Sequence, residues 1–488
     1  MADISSTPPV NGWRPVGLFG ESVAEEPPRA EPGGGSKQGG PAKRRSRAWA
    51  KWGKRAASAL AFAAALAVPV QASARGLIRD SEIERTLQMM IQPIFKAAGL
   101  PSDRVRLFIV QENTLNAFVA AGNNMFFHTG LLQQLETPEE LIGVMAHETG
   151  HVQAGHFVQR VEAVRTLSTA SLLATLVGIG AAAAGGGSAG AGIIQGGNRV
   201  LTRNLLRFTR GQETGADALA VQYMTKANVD PSGMLAVLRR LGEAQAVFLS
   251  NVDPYALSHP LSTQRIAALE KSVAASPALG ARVSEDIRYW HGRMRAKLDG
   301  FLSPAGSGPS TFYGDPELDL YRRAIALHRA PRPDEAIAAV DKLIQMRPND
   351  PFYWELKGQF LFESGRGPKA VQPYERATRL APNEPLIAAG LGRSLLTVGT
   401  PAANKRALRV LERAAVADPF DPGLRRPLAD AYARNGQEGM AAVVTAERLV
   451  LGGRIPDAHR QAQRAKALLP AGSPGWIRAD DVLTVRAR

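Results

Sequence analysis

The chain concentrates its chemistry in His147-Glu148-Thr149-Gly150-His151. Residues four apart on a helix share a face, so His147 and His151 turn two imidazoles toward one point. Two imidazoles aimed at one point make a metal site of the kind zinc takes. Glu148 stands one position on, within reach of a water held there. Zinc lowers the pKa of such a water, and Glu148 can take its proton and pass it to a leaving amine. The expected chemistry is hydrolysis of a peptide bond. Other donors are scarce, because the 488 residues contain 8 histidines and no cysteine. The missing cysteine excludes Cys-ligated zinc, iron–sulfur clusters, a thiol nucleophile and a disulfide scaffold.

A zinc site of this type needs a third protein ligand. His156 lies five residues past His151, about 140° round the helix, and so faces elsewhere. A metzincin carries Gly at 154 and His at 157, where this chain has Ala154 and Phe157. Further on, Glu213 and Asp217 stand four apart on a helical face that also carries Ala216 and Ala220. Glu213 as third ligand, with Asp217 accepting a hydrogen bond from a ligand imidazole, accounts for the pair. Taken alone, the pair is more simply a solvated acidic i,i+4 couple.

Several elements must position these groups. Leu107 to Val110, Asn116 to Ala120 and Met125 to His128 read as short strands, with a Gly-Asn-Asn turn between the last two. Thr137-Pro138-Glu139-Glu140 is a helix start, with Pro at the first helical position and a capping-box Glu. The helix it opens runs on through His151. An extended substrate would pair with an edge strand beside that helix. The expected edge is Asn124 to His128, with Asn124, Met125, Phe126 and Phe127 as substrate-binding residues. His128 itself reads as a strand surface residue.

Residues 1–42 are rich in Pro, Gly, Ser and Glu and read as a disordered head. A basic cluster from Lys43 to Arg55, an apolar run and Ala72-Ser73-Ala74 follow, which together make a secretory signal over 43–74. Residues 166–198 carry no charge and are rich in Gly and Ala. They are too small-residued for a convincing transmembrane hairpin. A helical hairpin near the active site is expected there, acting as a lid or touching a membrane surface. The formal charge of +15 suits anionic partners without choosing among them. Nucleic acid is not expected, because no binding motif or aromatic–basic interleaving accompanies the charge.

The second half repeats. Arg347-Pro348-Asn349-Asp350-Pro351 returns as Ala381-Pro382-Asn383-Glu384-Pro385, a shift of 34, and Gly358 returns as Gly392. A helix–turn–helix of that period with Pro at each joint resembles the tetratricopeptide repeat. Three units over about 318–421 satisfy the minimum for a stacked core, and a degenerate fourth follows.

NAF at 116–118, TGLL at 129–132, HETGH at 147–151, RGQETGAD at 210–217, Asp230-Pro231 and Ser258-His259-Pro260-Leu261 occur in this order. Over about 100–270 they resemble the HtpX/CaaX-protease type of zinc peptidase, and most of all its secreted branch that carries tetratricopeptide repeats. The resemblance implies an α+β, mostly α, zincin-type metalloprotease domain with a small sheet, followed by an all-α repeat solenoid. It implies one Zn2+ per chain held by His147, His151 and Glu213, with Glu148 as base and Asp217 in support. It places His259 near the metal, either polarising the tetrahedral intermediate or capping zinc in a resting state. Gly150 inside the catalytic helix and Thr214-Gly215 beside Glu213 depart from the family pattern without removing a chemical group.

These readings divide the chain into the head 1–42, the signal peptide 43–74, the protease domain 75–303, a linker 304–316, the repeat domain 317–470 and a C-terminal tail 471–488. The expected activity is that of a periplasmic zinc endopeptidase degrading misfolded or stalled outer-membrane proteins, its repeats holding clients or assembly machinery. The alternative is a chaperone or scaffold for outer-membrane protein assembly with a resting protease site.

Overall fold

A computed structural model describes residues 76–120, 123–157, 159, 199–247, 259–303 and 313–486. The expected head, the signal peptide and the uncharged 166–198 segment lie outside them. Contacts divide the described chain into one unit over residues 75–399 and a second over 400–488. The division does not fall at 304–316.

The first unit opens with strand β1 (Leu77–Ile78) and helix α1 (Ser81–Ala98). Strands β2 (Arg106–Val110), β3 (Ala117–Ala120) and β4 (Asn124–His128) complete a four-stranded sheet in the order β1-β2-β4-β3. β2 and β4 run parallel, while β3 lies antiparallel to β4. The turn into β4 passes through Asn123 at φ 57, a left-handed position that Asn tolerates better than other non-glycine residues. This topology corrects the expected edge. Asn124, Met125, Phe126 and Phe127 pair with β2 on one side and β3 on the other, so their backbone is committed to the sheet. Among the described residues the outer edge belongs to β3, because the chain doubles back and lays β4 between β2 and β3.

Helix α2 (Thr129–Gln134) leads to α3 (Pro138–Gln153). Thr137 and Glu140 form the reciprocal capping box at the start of α3, an arrangement worth about 1 kcal/mol. From Leu141 to His151 every residue of α3 is buried, as expected of a helix enclosed on all sides. Its neighbours are α1, the sheet, α4 (Arg199–Lys226) and α5 (Ser232–Val247). Glycines make these close approaches possible. A Cβ on Gly150 would stand 3.0 Å from the Ala216 carbonyl of α4, and one on Gly143 would stand 2.8 Å from Met234 of α5. Gly150 therefore lets the helix of the two histidines lie against the helix of Glu213.

Helices α6 (Thr263–Ala274) and α7 (Glu285–Leu302) close this core. Helix pairs follow: α8 (Pro316–Arg329) with α9 (Pro333–Met346), α10 (Pro351–Glu363) with α11 (Gly367–Leu380), then α12 (Pro385–Val398). Asp315 and Asp350 cap helices that begin with Pro, which gives the repeated joint its physical basis. Tyr374 fills the space left by two glycines, Gly358 and Gly390, in the flanking helices.

A buried ionic cluster joins α1 and α7 to the first repeat helices. Glu82 of α1 accepts from Tyr321 Oη at 2.6 Å and lies 2.5 Å from Arg293 and 3.1 Å from Lys297 of α7. Arg293 also pairs with Asp350, and its guanidinium lies 3.9 Å from the centre of the Tyr353 ring.

In the second unit, α13 (Pro401–Ala417) is followed by α14 (Pro422–Arg434) with α15 (Glu438–Leu451), α16 (Ile455–Leu468) and α17 (Pro474–Leu483). The expected tail 471–488 thus contains a helix, whose Ala479 and Val482 enter the core. Among the described residues no helix is long and apolar enough to cross a membrane.

Candidate metal centre

Helix α3 presents His147 and His151 on one face, with Nε2 atoms 3.1 Å apart. From α4, Glu213 brings Oε2 to 3.2 Å from His147 Nε2 and Oε1 to 3.3 Å from His151 Nε2. A fourth donor comes from the segment before α6. His259 Nδ1 lies 3.2 Å from His147 Nε2 and 3.0 Å from Glu213 Oε2. All four side chains are buried, and together they form a group able to hold a metal ion.

The donor set fits a small tetrahedral cation. Metal–donor bonds of about 2.0–2.1 Å put the corners of a tetrahedron roughly 3.3 Å apart; five of the donor contacts are 3.0–3.3 Å, and the four ligand atoms all lie within 4.8 Å of one another. Charge agrees. Among the described residues, Glu148, Glu213 and Asp217 set three carboxylates against the guanidinium of Arg265, an excess of negative charge in a buried site that a divalent cation offsets.

A layer of partners holds the four in place. Asp217, one turn after Glu213 on α4, stands 2.9 Å from His147 Nδ1. Burial would lower the pKa of His147, but Asp217 and Glu213 outweigh it and hold the ring up at about 9. His151 is pushed down to about 3, chiefly by burial. Glu213 is held far below the ordinary carboxylate range: burial works against ionisation there, and His259, His147 and His151 overcome it. Glu148 Oε1 lies 3.4 Å from His259 Nε2.

Two contributors escape a reading of the sequence. Arg265 of α6 donates to both oxygens of Asp217, at 2.5 and 2.8 Å, and lies 3.1 Å from Glu213 Oε2. Its one legible sign is its spacing from Ser262, which caps α6. His156, expected to face elsewhere, is indeed outside the four-donor group. The helix ends at Gln153, and Gly155 adopts a left-handed φ of 65. The chain therefore turns back and sets His156 Nδ1 2.9 Å from His151 Nδ1. Helical projection fails past Gln153 because the helix has stopped. His128 stays outside the group, with Nδ1 2.7 Å from Thr114 Oγ1.

Comparison with known proteins agrees with this geometry. Residues 79–273 match the peptidase family M48. They form an M48 metallopeptidase domain. The chain is 25% identical over 394 residues to the beta-barrel assembly-enhancing protease of Yersinia pestis, covering 76% of this chain and 77% of that relative. It is 24% identical over 413 residues to the protein of the same name from Escherichia coli (strain K12), covering 83% of each. A solved thermophilic TPR protein of Thermus thermophilus shares 18% identity over 34% of this chain and 98% of its own, with a TM-score of 0.26. The M48 domain thus holds every group of the candidate centre, and the helix pairs follow it in the chain.

Proposed function

We propose that the protein is a zinc-dependent endopeptidase of the bacterial envelope that cleaves misfolded or stalled outer-membrane proteins in the periplasm. The observation that carries the chemistry is the buried group of His147, His151, Glu213 and His259, able to hold a metal ion, with Glu148 beside it. His147, His151 and Glu213 would hold one Zn2+ per chain. A zinc ion there supplies a Lewis acid that acidifies water and polarises a peptide carbonyl. Glu148 takes the proton from the attacking water and delivers it to the leaving amine. Asp217 orients His147, Arg265 orients Asp217, and His156 orients His151 through the nitrogen turned away from the group. Substrate backbone pairs with the outer edge of β3, which lies against α3.

The names of the relatives support the envelope setting, and helix pairs of this kind suit the capture of clients or assembly machinery. The leader read over 43–74 supports export. Contact of 166–198 with a membrane surface belongs to the same proposal and rests on composition alone.

One observation favours a resting form. His259 Nδ1 stands within 3.2 Å of His147 Nε2 and Glu213 Oε2, where it would take a coordination position otherwise open to a substrate oxygen. A chaperone or scaffold role in outer-membrane protein assembly, with the peptidase opened on demand, is the second reading.

The test compares wild type with Glu148→Gln on an unfolded substrate, with zinc measured on both. We expect zinc in each and cleavage by wild type only. Equal cleavage would remove Glu148 from the mechanism, and wild type without zinc would remove the ligand set. His259→Ala should keep its zinc and cleave faster, and loss of zinc from that variant alone would make His259 an essential ligand.

A further inference from the structure

The sheet carries a row of aromatic rings that catalysis does not use. Phe108 of β2, Phe126 of β4 and Phe118 of β3 are directly opposed in register. Their rings stack with centroids 5.0 and 4.9 Å apart and interplanar angles of 17° and 11°. These spacings follow the strand repeat of about 4.8 Å, so the rings form a ladder across the sheet. The ladder lies on the face turned away from the catalytic helix, because Ala117 and Val119 pack into the core that contains α3. Phe126, inside the stack, is buried, while Phe118 and Phe108 at its ends are half-buried.

The two ends differ. Beyond Phe108 the neighbouring strand is only two residues long and pairs with Ile109 and Val110, and the guanidinium of Arg106 lies 5.9 Å from the Phe108 ring centre. Beyond Phe118, among the described residues, no strand pairs with β3. One further strand on that edge would stand one repeat away, with a side chain opposite Phe118.

We infer that Phe118 is a specificity-determining residue: a client segment added to β3 sets an aromatic side chain on its ring as the fourth rung of the ladder. The inference deepens the endopeptidase reading and rests on it for the substrate's extended form. Strand alternation makes the preference periodic. An aromatic is favoured at one position and tolerated two residues away, and the positions between face α3.

Short fluorescein-labelled Ala/Thr peptides carrying one Phe, moved position by position, test this. Binding to the full chain as Glu148→Gln, loaded with zinc, is read by anisotropy, so no turnover is needed. Phe at the preferred position should bind roughly tenfold more tightly than Ala there, from aromatic stacking added to burial. Phe118→Ala should bring that ratio close to one. Phe118→Leu, which retains apolar bulk, should lose the preference for Phe over Leu. Phe108→Ala, at the far end, should keep both preferences. A flat positional scan, or unchanged ratios in a folded Phe118→Ala or Phe118→Leu, overturns the inference. Wild type with zinc is then given the same peptides with and without chelator. Binding preference without chelator-sensitive cleavage would sink the peptidase reading and leave the Phe118 subsite standing.

Discussion

Glu148 and Asp217 are both buried carboxylates near the same imidazoles, yet their positions separate their roles. Glu148 stands beside His259 Nε2, whereas Asp217 is locked between His147 Nδ1 and Arg265. Glu148→Gln should therefore lower turnover roughly a hundred- to ten-thousand-fold while zinc content stays the same. Asp217→Asn should instead weaken zinc affinity about 10- to 100-fold, measured by competition with a metal indicator. Arg265→Gln should move zinc affinity in the same direction, because it leaves the Asp217 carboxylate buried without its charge partner. A change in rate with zinc affinity untouched in the last two variants would reverse this assignment.

Among the elements, the contact between α3 and α4 decides whether the donors meet. In the sequence, Gly150 reads as a helix weakness of about 1 kcal/mol relative to Ala. In the structure it is the point where the Ala216 carbonyl approaches. Gly150→Ala should thus fail to give the stabilisation expected from helix propensity. We expect a neutral to mildly destabilising change in a urea melt, with weakened zinc binding as α4 shifts. Gly143→Ala, whose Cβ would meet Met234 at 2.8 Å, should cost about 1–3 kcal/mol from overpacking. A gain in stability at either position would show that the helices have room that the packing denies them.

For the unit over 75–399 as a whole, two buried groups outside the metal centre, Arg293 and His291, contribute to its response to charge. Arg293 is fully buried and paired with Glu82 and Asp350. Arg293→Ala takes the guanidinium from Asp350 and leaves Glu82 with Lys297 and Tyr321 alone, and should destabilise by about 3–5 kcal/mol, read by chemical denaturation. His291 is buried, and burial first, then Arg295 and Arg288, push its pKa down to about 3. In the unfolded chain the ring protonates below about 6.5. The unfolded state then binds the extra proton, so stability is complete above that pH and falls as pH drops toward 3. Between pH 7 and pH 5 the loss from this group is about 2 kcal/mol. His291→Leu should remove that part of the slope, and an unchanged slope would assign the acid sensitivity elsewhere.

Much of this protein is legible in its sequence because its signals are local. The spacing of His147 and His151, the capping box at Thr137 and the Pro-marked joints near 350 and 384 each depend on residues within one or two helical turns. Helical periodicity carries such information directly. Glu213 needs the resemblance as well as the spacing, since an acidic pair alone reads as surface. The edge strand is misassigned from sequence because hydrogen-bond order is not a sequence-local property: Asn124 to His128 alternates no differently in the middle of a sheet than at its edge. Arg265 and His156 stay hidden for a related reason. One acts from another helix across 48 residues, and the other depends on a left-handed turn at Gly155. The sequence by itself determined the chemistry available, a metal site built from histidine and carboxylate on capped helices. Among the described residues, the tertiary structure alone decided that β3 rather than β4 lies at the sheet edge, which residues brace the donors, and that His259 joins them. Those are matters of distance between segments far apart in the chain, and only packing sets them.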